Sequence, residues 1–423
     1  MPAPCPCMKI PLFQNFGRYF NISLLIKSFG IAAVFSLFLY LEWMGVQARW
    51  LFSLLAIVGF ALLLLAKRGF WIGFFIGVLW FWWIALSFRY YDLPWMIPFV
   101  FLAIGLIYGT IFWAGYRLAT LFPTSFGQTA AKGLFVWSVG SIHPFGFNWF
   151  IPQLGLVRSY FSFDILSFAF FLVFIGWIVL ARSWRKLLAI PLVLSLWHHP
   201  SPPPLAPLRI DLITTHLPQE KKWRRSELAS IIHDNFFHIH RAIHKGYDMV
   251  VLPESAFPLF LNLDPNLLSR LQYLSHKIAI VTGALAYKEG KIYNSTYIFQ
   301  NGRYIILDKV VLVPFGEEIP LPKPLARLVN HIFFNDASDY DHATTPQIYE
   351  IEGVRFTNAI CYEATHPLIY QSPTTYIIAI SNNAWFWPSL EPWLQNLIIR
   401  YYATIYHKVV YHATNIAKTE VIR

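Results

Sequence analysis

Over the first two hundred residues the hydrophobic positions come in long runs, and beyond them they recur every second residue or every three to four. The runs cover residues 22–41, 50–66, 70–88, 94–116, 133–150, 160–181 and 187–197. Eighteen helical residues rise about 27 Å, close to the thickness of a bilayer's hydrocarbon core. The pattern predicts seven crossing helices; the fifth is interrupted by Pro144 and glycines, and the seventh is short and contains Pro191. Ionisable side chains are nearly absent from the centres of the runs. Pumps and ion carriers place charges there, so the helices read as a platform rather than a transport pathway. Trp80-Phe81-Trp82-Trp83 reads as packing or interfacial aromatics, with a lipid-binding wall as the sharper alternative.

Residues 198–207 (HHPSPPPLAP) predict a stiff, extended linker. Beyond it the pattern predicts strands at 209–214, 249–252, 278–283, 293–299, 304–311, 347–351, 354–360, 376–381 and 409–415, with helices at 223–244, before 278 and at 391–407. Leu228, Ile232, Phe236, Ile239 and Ile243 share one face of the first of these helices. Asn301-Gly302 is a strong hairpin signal. Mixed strands and helices of this kind predict a layered α/β sandwich. The expected division is a basic tail (1–20), a transmembrane domain (21–198), a linker (199–208) and a second domain (209–423).

Only 13% of the 423 residues are charged and 56% are hydrophobic, against about 25% charged in soluble domains. Mean hydropathy is +0.48. The net charge of +11 has a pattern: Lys67-Arg68, Arg117 with Lys132, and Arg182-Arg185-Lys186 share alternate loops with the basic N-terminus. The other loops hold little beyond Glu42/Arg49, Arg89/Asp92 and Arg158. Basic loops stay cytoplasmic, so everything after residue 200 is expected on the outer side, the periplasm in a bacterium. No basic repeat or nucleic-acid motif is present, and nucleic acid is excluded as a partner. Cys5 and Cys7 lie in a Pro-rich leader with no second pair to complete a zinc site. Cys361 is the remaining cysteine, so it has no disulfide partner in its own domain. The first helix reads as a retained anchor.

Cys361 ends the apolar part of FTNAICYEATH at an expected strand-to-helix turn, where the helix's positive end would favour thiolate. A buried structural cysteine is the alternative. Glu254 and Lys309 also emerge from apolar runs, VVLPESAFP and DKVVLVPFGEEIP. A carboxylate can take a thiol's proton, and a cation can stabilise thiolate and oxyanion. Taken singly, Glu254 also reads as a helix-start carboxylate and Lys309 as a surface charge of the hairpin. His233, His240 and His244 read as a solvated helix face, because no carboxylate or Cys stands at ligand spacing.

Glu, Lys and Cys in that order resemble the catalytic set of the nitrilase (carbon–nitrogen hydrolase) superfamily. LPES, DK…LVPFGE and ICYE behind a membrane domain resemble the apolipoprotein N-acyltransferase family. The resemblance implies an α-helical membrane domain beside a nitrilase-like α-β-β-α sandwich. It implies Glu254 as base, Lys309 as charge stabiliser and Cys361 as nucleophile, with no cofactor and no metal. Trp223, Glu317, Tyr362, Glu363 and Trp385 would support the site or contact lipid; Trp385 also reads as plain core. The implied partners are a phospholipid acyl donor, a lipid-modified apolipoprotein acceptor and membrane lipids, in the bacterial inner membrane. Residues 321–334 (LPKPLARLVNHIFF) are expected to be a lid or membrane-dipping arm, with a packed core helix as the alternative. Three departures stand out: Trp387 replaces the glycine of the family's Trp-Phe-Gly, the chain stops at Arg423 before the family's last membrane helix, and the leader is atypical. A membrane-anchored amidase using water and a catalytically inactive membrane binding module fit many of the same residues.

Overall fold

The computed structural model describes residues 21–181, 186, 196, 201–322, 324–327, 330 and 340–423. The apolar runs become α1 (Ile22–Trp43), α2 (Arg49–Leu65), α3 (Phe70–Phe81), α4 (Ile97–Ala119), α5 (Ser125–Ser138) and α6 (Ile165–Leu180). With the short turns that extend them, α1, α3 and α4 are long and apolar enough to cross a membrane. Glycines bring α3 and α4 together: a Cβ on Gly73 would lie 2.4 Å from the Tyr108 carbonyl oxygen. Helices without a hydrophobic driving force between them pack through such small residues. Trp80, Phe81 and Trp83 are buried, and the Trp80 Nε1 donates to Ser36 Oγ at 3.1 Å, so this cluster is packing. Lys132, expected in a loop, lies on α5 and donates to the carbonyls of Leu64 (2.9 Å) and Ala66 (2.7 Å), capping the end of α2.

The fifth run is not a full crossing. Its helix starts earlier, at Ser125, and ends at Ser138; residues 139–156 then follow a path of single turns broken by Pro144, Gly146 and Pro152. Non-helical backbone survives among apolar helices only where protein covers it, and Asn148, Trp149, Phe150 and Leu154 are all buried. The seventh run, 187–197, falls outside the described residues apart from Leu196, and half of 321–334 does as well.

The second domain contains β1 (Ile210–Leu212), α7 (Gln219–Lys222), α8 (Arg225–His244), β2 (Met249–Val251), β3 (Phe257–Phe260), α9 (Pro265–Leu274), β4 (Ala279–Lys288), β5 (Lys291–Gln300), β6 (Arg303–Asp308), β7 (Ile348–Ile351), β8 (Val354–Ile360), α10 (Pro367–Tyr370), β9 (Tyr376–Asn382), α11 (Glu391–Ile405), β10 (Val409–Asn415) and β11 (Glu420–Ile422). One sheet runs β1-β2-β4-β5-β6 with β3 beside β4; the other runs β11-β10-β9-β8-β7. Strand alternation decides the layers. Ile378 and Ile380 meet Val281 and Met249 between the sheets, while Ile377 and Ala379 face α11. Asn301 (φ 52°) and Gly302 (φ 74°) make the expected hairpin turn. The buried face of α8 holds the predicted Phe236 and Ile239, with Ile232 and Ile243 partly buried beside them, and it extends to Ile231, Asn235 and Ala242, a rotation of less than a quarter-turn from the predicted stripe. The buried polar Asn235, whose amide donates to Ala256 O at 2.7 Å, accounts for the difference.

α11 joins the two domains. Its Ile399 and Ala403 pack on the sheet, while Leu394, Leu397, Ile398 and Tyr401 belong to the core of the membrane helices. The same seam holds Trp83 against Phe386 (4.7 Å between rings) and the Arg89 guanidinium on the Trp387 carbonyl (3.1 Å).

Candidate active site

Glu254, Lys309 and Cys361 each lie just beyond the carboxyl end of a strand, β2, β6 and β8. Two of these strands finish in left-handed turns, at Ser255 (φ 48°) and at Cys361 itself (φ 55°). Such conformations persist only where their surroundings impose them. The Glu254 carboxylate is buried and fixed at both oxygens: Asn294 Nδ2 donates to Oε1 at 2.7 Å, and the Asn382 amide donates to Oε2 at 2.8 Å. The same Asn294 nitrogen donates to Glu317 Oε1 at 3.0 Å, and Glu317 Oε2 pairs with Lys309 Nζ at 2.7 Å. One amide thus ties the two carboxylates and the lysine into a single network.

Tyr362 and Glu363 hold Cys361 from opposite sides. Glu363 is fully buried; it accepts from the amides of Val310 (2.7 Å) and Val311 (3.2 Å) on one oxygen and of Ile360 (2.8 Å) on the other. It therefore locks the chain after Lys309 to the residue before Cys361. Burial raises its carboxyl to about 7, against the backbone amides and Lys309, which lower it. Tyr362 stacks between Phe147 and Trp149 of the 139–156 stretch, and its hydroxyl donates to Asn148 Oδ1 at 2.8 Å. The Trp149 indole donates to Thr365 Oγ1 at 2.7 Å. The cysteine turn is thus clamped to the membrane domain.

Residues 22–198 match the apolipoprotein N-acyltransferase integral membrane domain, and residues 217–423 match the carbon-nitrogen hydrolase family. An apolipoprotein N-acyltransferase of Wolinella succinogenes is 42% identical over 412 residues, covering 96% of this chain and 97% of that one. The chain belongs to the apolipoprotein N-acyltransferase family. Proteins of that name from Helicobacter hepaticus and Campylobacter jejuni are each 37% identical, over 88% and 96% of this chain and 93% and 92% of theirs. A solved carbon-nitrogen hydrolase superfamily protein from Xanthomonas campestris aligns with 50% of this chain and 77% of its own at 16% identity, with a TM-score of 0.39. As a family member this is a membrane protein and an acyltransferase-type enzyme with a carbon-nitrogen hydrolase domain.

In this N-acyltransferase family member the thiol does not gain from a helix dipole. Only a turn of Cys361–Thr365 follows the strand. Burial and the Glu254 charge push the Cys361 thiol well above its usual range, with Lys309 opposing and Glu391 adding to the rise. Both effects favour the protonated thiol over the thiolate. Burial alone would lower the Lys309 pKa, but Glu317, Glu254 and Cys361 together raise it, so the lysine stays charged.

Among the supporting residues, Glu317 and Glu363 are tightly built in, and Tyr362 faces the membrane domain. Trp385 meets Tyr90 edge-on at 5.6 Å, again across the domain seam. Trp223 is 45% exposed at the end of α7. Its neighbour Lys222 is the residue within the site: it is buried and donates to the Glu254 carbonyl at 2.9 Å. Burial lowers its pKa to about 8, against Glu254 and Cys361, which raise it. Lys222, Asn294, Asn382 and Glu391 were not singled out from the sequence. The KKW and SNNAW runs offer no feature that separates them from surface residues. Trp387 is accommodated in place of glycine because its backbone is extended (φ −78°, ψ 140°) and does not need a left-handed residue.

Proposed function

We propose that the protein transfers an acyl chain from a membrane phospholipid to the α-amino group of the lipid-modified N-terminal cysteine of an apolipoprotein, through a thioester on Cys361. The observation that carries this reading is the network Glu254–Asn294–Glu317–Lys309 beside a thiol whose turn is clamped to the membrane domain. Glu254 accepts the thiol proton as Sγ attacks the ester carbonyl, and Lys309 balances the oxyanion. When the intermediate collapses, the carbon–oxygen bond breaks and Glu254 returns the proton to the departing lysophospholipid alkoxide. The acceptor amine then attacks the thioester, giving its proton to Glu254, and the amide forms as the thiolate leaves and is reprotonated.

The loops that meet the catalytic domain are those poor in Lys and Arg, around Glu42, Arg89 and Arg158. This supports a catalytic domain on the periplasmic face of the bacterial inner membrane. Phe315 beside Glu317 packs on Phe145 of the membrane domain at 5.5 Å, which favours a lipid donor.

Purified wild-type protein given phospholipid without acceptor should accumulate a hydroxylamine-labile adduct on Cys361, visible by mass spectrometry. An acceptor with a free α-amine should discharge it, and one with a blocked amine should not. Cys361→Ala should not load, Lys309→Met should load about 10²–10³-fold more slowly, and Glu254→Gln about 10²–10⁴-fold more slowly. Because the Glu254 charge raises the thiol pKa, Glu254→Gln should regain rate as pH rises. Acyl transfer by Cys361→Ala would sink the covalent route, and discharge to water as fast as to amine would point to an amidase.

A further inference from the structure

A cavity of about 520 Å³ opens on the domain seam, and none of its lining residues belongs to the thiol site. Its wall is basic. Arg49 begins α2, Arg158 precedes α6, Arg400 lies on α11, and Lys418 and Arg423 flank β11. Two side-chain carboxylates oppose these cations, and Arg400 also donates to the Arg423 main-chain oxygen at 3.4 Å. Glu42 is taken by Arg158, whose Nε donates to it at 2.9 Å, and Glu420 is shared between Lys418 at 3.4 Å and Arg400 at 3.8 Å. Arg49 has no carboxylate partner among the described residues; its guanidinium lies over the Tyr160 ring at 5.8 Å. Burial and the neighbouring Arg158 both disfavour the Arg400 cation, against Glu420 and Glu42, which favour it. Guanidiniums that repel one another around a shared space are stabilised when an anion enters, and their planar forks match phosphate oxygens. The volume suits a small ligand or headgroup.

The surroundings indicate where that phosphate comes from. Trp50, next to the cavity's Arg49, is exposed, as expected of an aromatic at headgroup depth. Below Arg49, Trp50, Leu54 and Val58 follow one another at four-residue intervals along an exposed face of α2. An acyl chain hanging from a phosphate in the cavity would lie along that face. We propose that this cavity binds the phosphate of an anionic membrane phospholipid, at a site distinct from the one that loads Cys361. The excess of cations over carboxylates favours a headgroup with net negative charge.

The test is native mass spectrometry of the full chain released from detergent with phosphatidylglycerol, phosphatidylcholine or inorganic phosphate. Wild type and an Arg117→Gln control should retain phosphatidylglycerol in preference to phosphatidylcholine. The Arg49→Gln/Arg400→Gln double variant should bind phosphatidylglycerol about tenfold more weakly or worse. Should the double variant melt early, Arg49→Gln alone, which breaks no ion pair, carries the same expectation. Unchanged phosphatidylglycerol binding in these variants would overturn the proposal. So would arginine-dependent binding of inorganic phosphate as tight as that of the lipid, since the ligand would then be a free anion. Thioester loading of wild type is scored separately, so either failure leaves the acyl-transfer reading intact.

Discussion

Glu391 illustrates how burial sets the chemistry of a single residue. Its carboxyl is buried and accepts from Asn383 Nδ2 at 2.9 Å, and burial raises its pKa to about 8 from the ordinary carboxylate value of 4.5. The folded state therefore holds a proton that the unfolded state has released, and stability present below pH 4.5 is lost as pH rises toward 8. His412 runs the other way: burial lowers it to about 3, so its contribution grows between 3 and 6.5 and is then constant. Between about pH 6.5 and 8 the buried acids dominate. Wild-type melting temperature should fall across that window, and Glu391→Gln should flatten the fall by the equivalent of about 2 kcal/mol. Equal slopes for the two proteins would show that Glu391 ionises normally.

At the scale of elements, the strands that carry the candidate site are positioned by close backbone approach. A Cβ on Gly283 of β4 would lie 2.5 Å from the Ser255 nitrogen and 2.7 Å from Glu254 Cα, and both are backbone atoms with little room to give. Gly283→Ala should destabilise the fold by about 1–3 kcal/mol and push Glu254 off the position proposed for proton transfer. An ångström of misplacement can cost about 10² in rate. The expected result is slow thioester loading with a modest drop in melting temperature; normal loading would mean the Glu254 turn adapts. Strands β8 and β10 match their sequence-predicted limits because alternation and turn residues bound them. Strands β3 and β11 are not predicted: β3 carries Pro258, which argues against a strand, and β11 is only three residues long. The 139–156 stretch misled for another reason. Its apolar side chains are buried in protein, among the membrane helices and against Tyr362, rather than in lipid, and composition alone cannot tell the two apart.

For the whole molecule, the arrangement of basic loops predicts topology. A reporter fused after Ser201 should behave as periplasmic and one at residues 182–186 as cytoplasmic. Cytoplasmic behaviour of both would put the catalytic domain on the wrong side for lipoprotein acceptors. What the sequence alone determined was the division into an apolar half and a layered α/β half, and the candidates Glu254, Lys309 and Cys361. These follow from local rules: run length against bilayer thickness, strand alternation, and reactive groups at strand ends. Only the tertiary structure decided how those groups are wired. Asn294 bridges two carboxylates, Lys222 lies beneath Glu254, and Glu363 ties the Lys309 loop to the cysteine turn across tens of residues. It also reversed the expectation for the thiol, since burial outweighs a helix end that is a single turn long. Hydrogen bonds between distant segments and the loss of water around a charge depend on where the chain brings groups together, and no local pattern encodes that.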